Sequence, residues 1–190
     1  MKSSAVIFLA AGMQTRFEGE GLKCMSDIGG KPLLEHTADM CREWNDLFVV
    51  IGAKWTNKDE LWAFRHGIKA IRAEGPKIGG SIVAGLVGCD ASLYEIVHVV
   101  SADTFFVEGS APVFGSYDAI FDPWEWATLW GLTGGLRDWK LYAACENRVE
   151  TMGLLGMHVR IVRRPDIVNV NTVEDLERAR RLWRDSGKQS

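Results

Sequence analysis

Two cations seven residues apart, Arg16 and Lys23, follow an apolar run that ends in the small residues Ala10, Ala11 and Gly12, within the stretch FLAAGMQTRFEGEGLKCM. A guanidinium is a planar fork that pairs two phosphate oxygens at once, whereas an ammonium delivers a compact charge to one. Small residues let a backbone approach a base or a phosphate closely and leave N–H groups free to point at it. Leu9, Ala10, Ala11, Gly12, Arg16 and Lys23 together read as a cradle for a polyphosphate. The stretch is neither a Walker A loop nor a G-x-G-x-x-G turn, because Gly30-Lys31 is followed by Pro32 and lacks the leading glycine. An ordinary strand exit with two solvated cations would have the same local appearance, so the surrounding elements must decide.

Those elements alternate between strand and helix. Residues 5–9, 47–51, 68–71 and 96–100 are short runs rich in β-branched residues. They are mostly apolar on both faces, as parallel strands covered on both sides must be. Pro32 suits the first turn of a helix running to about residue 44, with Leu33, Leu34, Ala38, Cys41 and Trp44 on one side. Further helices are expected over 57–66 and 80–87, and a last one begins near Asn171 or Thr172, where Thr-Val-Glu-Asp supplies a cap and acidic residues. The pattern predicts an α/β fold, a three-layer sandwich with a mostly parallel central sheet. With 190 residues, one good hydrophobic core and a single domain are expected. Ligands of such sheets bind beyond the carboxyl ends of the strands, where the Leu9–Gly12 exit lies.

Further blocks give the stretch its company. FLAAGMQTRF, GLKCM and GGKPLLEH follow one another in the order of the signature of nucleotidyltransferases with the GT-A-like α/β fold, and the chain resembles that superfamily. Gln14 stands where the family carries a second glycine, and Leu22 where it carries a proline before the lysine. GPKIGGSIVAGL is similar to the family's base-contacting loop and helix start, which points to Gly79, Gly80 and Ser81. VVSADTFFV is similar to the strand that ends in a metal-binding aspartate, here Asp103, with Ser101-Ala102 in place of the usual pair ending in glycine. VNVNTVEDLER is similar to the closing block of molybdenum cofactor nucleotidyltransferases, which directs attention to Asn171 and its neighbour Asn169. Without the resemblance, Asp103 would be a turn or cap residue, the two asparagines turn and N-cap residues, and Gly85 and Gly88 sites of close helix packing.

The resemblance implies transfer of an NMP unit from an NTP to a small phosphorylated acceptor, with Mg²⁺ and release of pyrophosphate. A phosphate monoester has a second pKa of about 6 and is already a dianion at neutral pH, so no protein base is needed. Alignment and charge neutralisation remain. Arg16 is assigned to the leaving phosphates, Lys23 to the α-phosphate, and Asp103 with Asn171 to Mg²⁺. The acceptor classes are a sugar phosphate, an amino-alcohol or polyol phosphate, or molybdopterin. Competing classes are a GT-A glycosyltransferase, which usually carries D-x-D where this chain has Asp103-Thr104-Phe105, and a silent nucleotide-binding protein.

Composition sets outer bounds. The 22 basic and 25 acidic residues give a formal charge of −3, with no sign of a nucleic-acid or membrane partner. Cys24, Cys41, Cys89 and Cys145 form no C-x-x-C pair and fit free thiols in a reducing cytoplasm. Lys2 and the apolar residues 5–11 resemble a leader peptide, but the run is short and the cations after it fit a fold better. His36, His66, His98 and His158 are unclustered and read as structural. The basic run Arg178, Arg180, Arg181 and Arg184 follows acidic residues on one helix, as the helix dipole favours. Residues 118–139 hold four of the eight tryptophans without a clean period. They read as an aromatic subdomain or a homo-oligomer contact, ahead of a stacking platform for a substrate ring.

Overall fold

A computed structural model describes residues 2–12, 17, 21–42, 46–75, 77–107, 119–122, 127–133, 159–161 and 167–187. Strand β1 (Lys2–Ala10) is followed by a small hairpin, β2 (Asp27–Ile28) with β3 (Lys31–Pro32), and by α1 (Leu33–Cys41). Next come β4 (Asp46–Ile51), α2 (Asn57–Arg65), β5 (Ile68–Arg72), α3 (Ile78–Gly88), β6 (Tyr94–Ser101) and β7 (Thr104–Phe106). The described chain continues through β8 (Ala119–Asp122), β9 (Ala127–Thr133), β10 (Val159–Ile161), β11 (Ile167–Asn169) and α4 (Val173–Asp185).

Seven strands form one sheet in the order β10-β8-β9-β6-β1-β4-β5. The block β5-β4-β1-β6 is parallel, whereas β9 runs antiparallel to β6 and to β8. The alternation of β1 explains the layers. Val6, Phe8 and Ala10 pack with Leu34, Ala38 and Cys41 of α1 and Ala63 of α2. Ala5, Ile7 and Ala11 face the other way, onto Ile82 and Leu86 of α3. Helices thus cover both faces, and β1 and β4 are correspondingly apolar on both, whereas β5, at the sheet edge, buries Ile68 and leaves Lys69, Ala70 and Arg72 exposed, against the expectation for 68–71. α3 comes unusually near the sheet at Gly85, where a Cβ would lie 2.7 Å from Ile7 Cγ2 and 3.0 Å from Val50 Cγ2. Close packing is what this glycine serves.

The predicted helices form with small shifts. Pro32 is not in the first turn of α1 but is its N-cap residue, with an extended ψ of 144° that lets it also end β3. Trp44 lies outside the described residues. α4 starts at the predicted cap, with Thr172 and Asp175 exchanging side-chain and backbone hydrogen bonds in a full capping box. Part of the tryptophan-rich segment is sheet rather than a separate aromatic unit. β8 and β9 extend the parallel block on the far side of β6, and the rest of 118–139 lies outside the described residues. No helix among the described residues is long and apolar enough to cross a membrane.

The order of connections fixes where a ligand can sit. From β1 the chain moves to β4 and β5 on one side, then returns to β6 on the other. Between β1 and β6 the direction of winding reverses, which opens a crevice beyond the carboxyl ends of those two strands. Leu9 of β1 is in register with Ser101 of β6 at that edge.

Candidate active site

A cavity of about 160 Å³ occupies that crevice. Its walls are the end of β1 (Leu9, Ala10, Ala11, Gly12), the end of β6 and its turn (Ser101, Ala102, Asp103), Lys23 and Cys24, and Ile78 and Ser81 of α3. The first turn of a helix carries unpaired N–H groups and the positive end of its dipole, and α3 sets that end at the cavity. The N-cap residue of α3, Lys77, provides no side-chain cap.

The edge of β1 is held by its neighbours. Trp55 is buried, and its indole N–H donates to the Ala10 carbonyl at 3.4 Å. The loop after β4 passes so near that a Cβ on Gly52 would stand 2.6 Å from the Ala11 carbonyl oxygen. Only a residue without a side chain fits there.

Lys23 and Asp103 meet at the mouth. Lys23 opens a single 3-10 turn, Lys23–Met25, between the buried side chains of Leu22 and Cys24. Leu22 has extended backbone angles, and its burial anchors the turn that presents the ammonium. Asp103 stands in the tight turn between β6 and β7, fastened when Val170 N–H donates to its carbonyl at 2.8 Å. Lys23 Nζ donates to Asp103 Oδ2 at 2.6 Å and to Asn171 Oδ1 at 3.3 Å. The side chains of Lys23 and Asp103 are 11% and 17% exposed, so water screens the pair only in part. Asp103 Oδ1 accepts from the Ser101 hydroxyl at 2.6 Å. Asn171 is itself fixed, its N–H donating to Asp175 Oδ2 at 2.9 Å.

Two oxygen donors, one carboxylate and one amide, thus converge on a single cation position, which the ammonium fills. A hard cation that keeps most of its water and is completed by phosphate oxygens needs no larger protein set than this. The donor chemistry fits Mg²⁺. Cys24 adds no nucleophile, since burial and the nearby Asp103 charge push its thiol up to about 12.

Among the residues singled out from sequence, Leu9, Ala10, Ala11, Gly12, Lys23, Ser81 and Asp103 line one cavity, and Asn171 reaches it through Lys23. Gly79 and Gly80 lie in the first turn of α3 without lining it; Ile78 and Ser81 do. Arg16 lies outside the described residues. His36 binds the Ile28 carbonyl and His66 the Trp62 carbonyl, both structural contacts, and His158 lies outside the described residues. Arg180 is engaged by Glu177 and the Asp27 carbonyl, Lys31 by Asp39. Cys24, Cys41 and Cys89 are free thiols, and Cys145 lies outside the described residues.

A family model described as the MobA-like NTP transferase domain matches residues 6–111. The chain belongs to that family. The bifunctional protein GlmU of Aquifex aeolicus (strain VF5) is 35% identical over 108 residues, covering 54% of this chain and 23% of that protein. The chain thus spans about a quarter of the length of the curated relatives it matches. Among solved structures, a nucleotidyl transferase from Methanothermobacter thermautotroptrophicus overlays with a TM-score of 0.72 at 13% identity, covering 98% of this chain and all of that one. The inositol-1-phosphate CTP transferase from T. maritima gives 0.65 at 12% identity, over 99% and 98% of the two chains. The MobA-like domain therefore has the nucleotidyltransferase fold along nearly its whole length.

Four features of this MobA-like site escaped the sequence reading. Gly52 and Trp55 support the β1 edge from a loop with no motif, and only their distance from Ala10 and Ala11 reveals them. Ile78 precedes the glycines that drew attention. Ser101 stood out only as a departure from the family pattern, not as a partner of Asp103.

Proposed function

We propose that this MobA-like domain transfers the nucleoside monophosphate of an NTP to a small phosphorylated acceptor, with Mg²⁺ and release of pyrophosphate. The observation that carries the reading is the Lys23–Asp103 pair at the mouth of a cavity floored by Leu9–Gly12. A cation and a carboxylate meeting there suit a polyphosphate that arrives with its own metal.

The acceptor's phosphate oxygen attacks the α-phosphorus in line. The new P–O bond forms as the bond from the α-phosphorus to the bridging oxygen breaks, and the electron pair leaves with pyrophosphate. Backbone N–H groups at Ala11 and Gly12 and at the first turn of α3 hold base and phosphates against the strand ends. Lys23, drawn from Asp103 to the α-phosphate, stabilises the charge that builds there, and Arg16 pairs the leaving phosphates. Mg²⁺, held by Asp103 and Asn171, would supply neutralising charge between the phosphates. No side chain has to remove a proton, because the attacking phosphate is already ionised. The absence of an activated nucleophile at Cys24 agrees with that economy.

For the acceptor, sugar, amino-alcohol and polyol phosphates form the class. The overlaid inositol-1-phosphate CTP transferase acts, by its name, on a polyol phosphate and supplies one member of the panel. Pyrophosphate release over all four NTPs, against sugar phosphates, choline phosphate, glycerol phosphate, inositol phosphate and molybdopterin, tests the reading. One NTP should bind with measurable heat only when Mg²⁺ is present, and one acceptor should release pyrophosphate. No heat and no thermal shift with any of the four would remove the reading.

A further inference from the structure

The apolar pair Val99-Val100 near the end of β6 is followed by a hydroxyl residue, Ser101. In Tyr94–Ser101 the strand reads YEIVHVVS, and the terminal hydroxyl sits 8% exposed at the edge of the crevice, in register with Leu9 of the central strand. A buried hydroxyl needs a partner, and this one donates to Asp103 Oδ1 at 2.6 Å. That length belongs to a charge-assisted O–H···O⁻ bond, among the stronger hydrogen bonds in proteins.

Asp103 needs such a partner. It lies past the end of the strand, and the terminal torsion of an aspartate is broad, so a second hydrogen bond on one oxygen narrows the plane in which the other is presented. With Oδ1 engaged by Ser101, Oδ2 is the atom turned to Lys23 and to the cation position shared with Asn171. The hydroxyl is carried by the last residue of β6, which is paired in the central parallel block of the sheet. We propose that Ser101 is the positioning residue of the metal-binding carboxylate, holding Asp103 by one oxygen so that the other meets the cation of the bound nucleotide. This inference rests on the transferase reading above and adds to it a residue of the cavity wall whose hydroxyl acts through Asp103.

Groups that orient a metal-binding side chain typically account for about 10- to 100-fold in metal affinity. The test uses Mn²⁺ as probe. Its affinity for the full chain with each NTP, without acceptor, is read by electron paramagnetic resonance, and turnover is followed across Mg²⁺ concentrations. Ser101→Ala should weaken Mn²⁺ binding by about 10-fold or more and raise half-saturating Mg²⁺ by a similar factor. Excess Mg²⁺ should restore most of kcat. Ser101→Cys, nearly the same size but a weak donor, should fall between, and Ser101→Thr, which keeps the hydroxyl, should recover the wild-type affinity.

Unchanged Mn²⁺ affinity in Ser101→Ala or Ser101→Cys overturns the inference while leaving the transferase reading intact. A loss that tracks a fall in melting temperature and is not recovered by Ser101→Thr overturns it as well, because that pattern marks a structural hydroxyl. A wild-type protein that takes up no Mn²⁺ with any NTP removes the transferase reading itself, and the inference with it.

Discussion

Asp103→Asn separates two jobs of one carboxylate. The change keeps the size, turns one of the two acceptor oxygens into a donor, and removes the charge that faces Lys23 Nζ at 2.6 Å. From sequence alone, Asp103 faces cations only across bound phosphates, and its neutralisation would leave the melting temperature of the metal-free protein unchanged or slightly raised. The ion pair reverses that expectation. With Lys23 11% exposed and Asp103 17% exposed, the pair lies between two measured limits: exposed pairs are worth about 0–1 kcal/mol, and breaking a buried pair costs about 3–5 kcal/mol. An intermediate loss of about 1–3 kcal/mol follows. For a chain of this size each kcal/mol moves the melting temperature by about 2–4 °C, so a drop of about 2–12 °C is expected without metal.

The double variant Asp103→Asn/Lys23→Met identifies the cause. Removing both charges leaves no partly buried ammonium facing a neutral amide, so the double variant should melt above Asp103→Asn, with a favourable coupling of about 1–3 kcal/mol. Turnover should behave otherwise, falling by about 10²-fold or more in each single variant and not returning in the double one. Thermal melts in EDTA and pyrophosphate release at saturating Mg²⁺ provide both readings on the same samples. An Asp103→Asn variant that melts with the wild type would refute the ion pair as a stabilising contact. One that turns over normally would refute the metal assignment.

Other expectations are narrower. Lys23→Ala should lower kcat by about 10²-fold or more while weakening NTP binding, read by calorimetry, far less; equal activity would return Lys23 to the structural side. Gly85→Ala should destabilise by about 1–3 kcal/mol in denaturant melts despite alanine's better helix propensity, because its Cβ would lie 2.7 Å from Ile7 Cγ2; a gain in stability would show that α3 can shift off the sheet. His98, buried in β6, is pushed down from 6.5 to about 4 by burial. The unfolded chain then binds the extra proton first, so its contribution is intact above about pH 6.5 and is lost as pH falls toward about 4, by roughly 3 kcal/mol. His98→Gln should flatten that part of a stability-against-pH curve.

The parallel block was legible because burial on both faces leaves a strong mark on sequence. β1, β4 and β6 are the apolar, β-branched runs, extended in the structure by a few residues at their ends, while β5 was found at its predicted place although only Ile68 of it is buried. α4 was legible from its cap, since Thr172 and Asp175 satisfy backbone donors wherever the helix packs. β8 and β9 were not legible. Tryptophan and glycine interrupt any alternation in β9, β8 is only four residues long, and pairing of β9 with β6 and of β8 with β9 sets these strands, not local preference. At the site, the residue types of Lys23 and Asp103 were readable and their direct contact was not. They stand 80 residues apart, and no local pattern records a contact made by two loops across a sheet edge.

That contact also shows why the site needs more of the chain than the family match covers. The match ends at residue 111, yet the second oxygen of the cation position comes from Asn171. Its placement depends on β11 pairing with β7, Asn169 against Thr104, directly after Asp103. Behind that pair lies a core in which Phe105, Val168, Leu176 and Ala179 pack with Ile28 and Leu33. Asp175 caps α4 through the N–H groups of both Asn171 and Thr172, so seating the helix on this core also fixes the asparagine. Because β7 follows Asp103 by one residue and β11 precedes Asn171 by two, one antiparallel ladder spaces both oxygen donors. Under the proposed transfer, packing in this core would decide whether carboxylate and amide can share a cation, and a cavity there is expected to loosen the site without touching a residue that lines it.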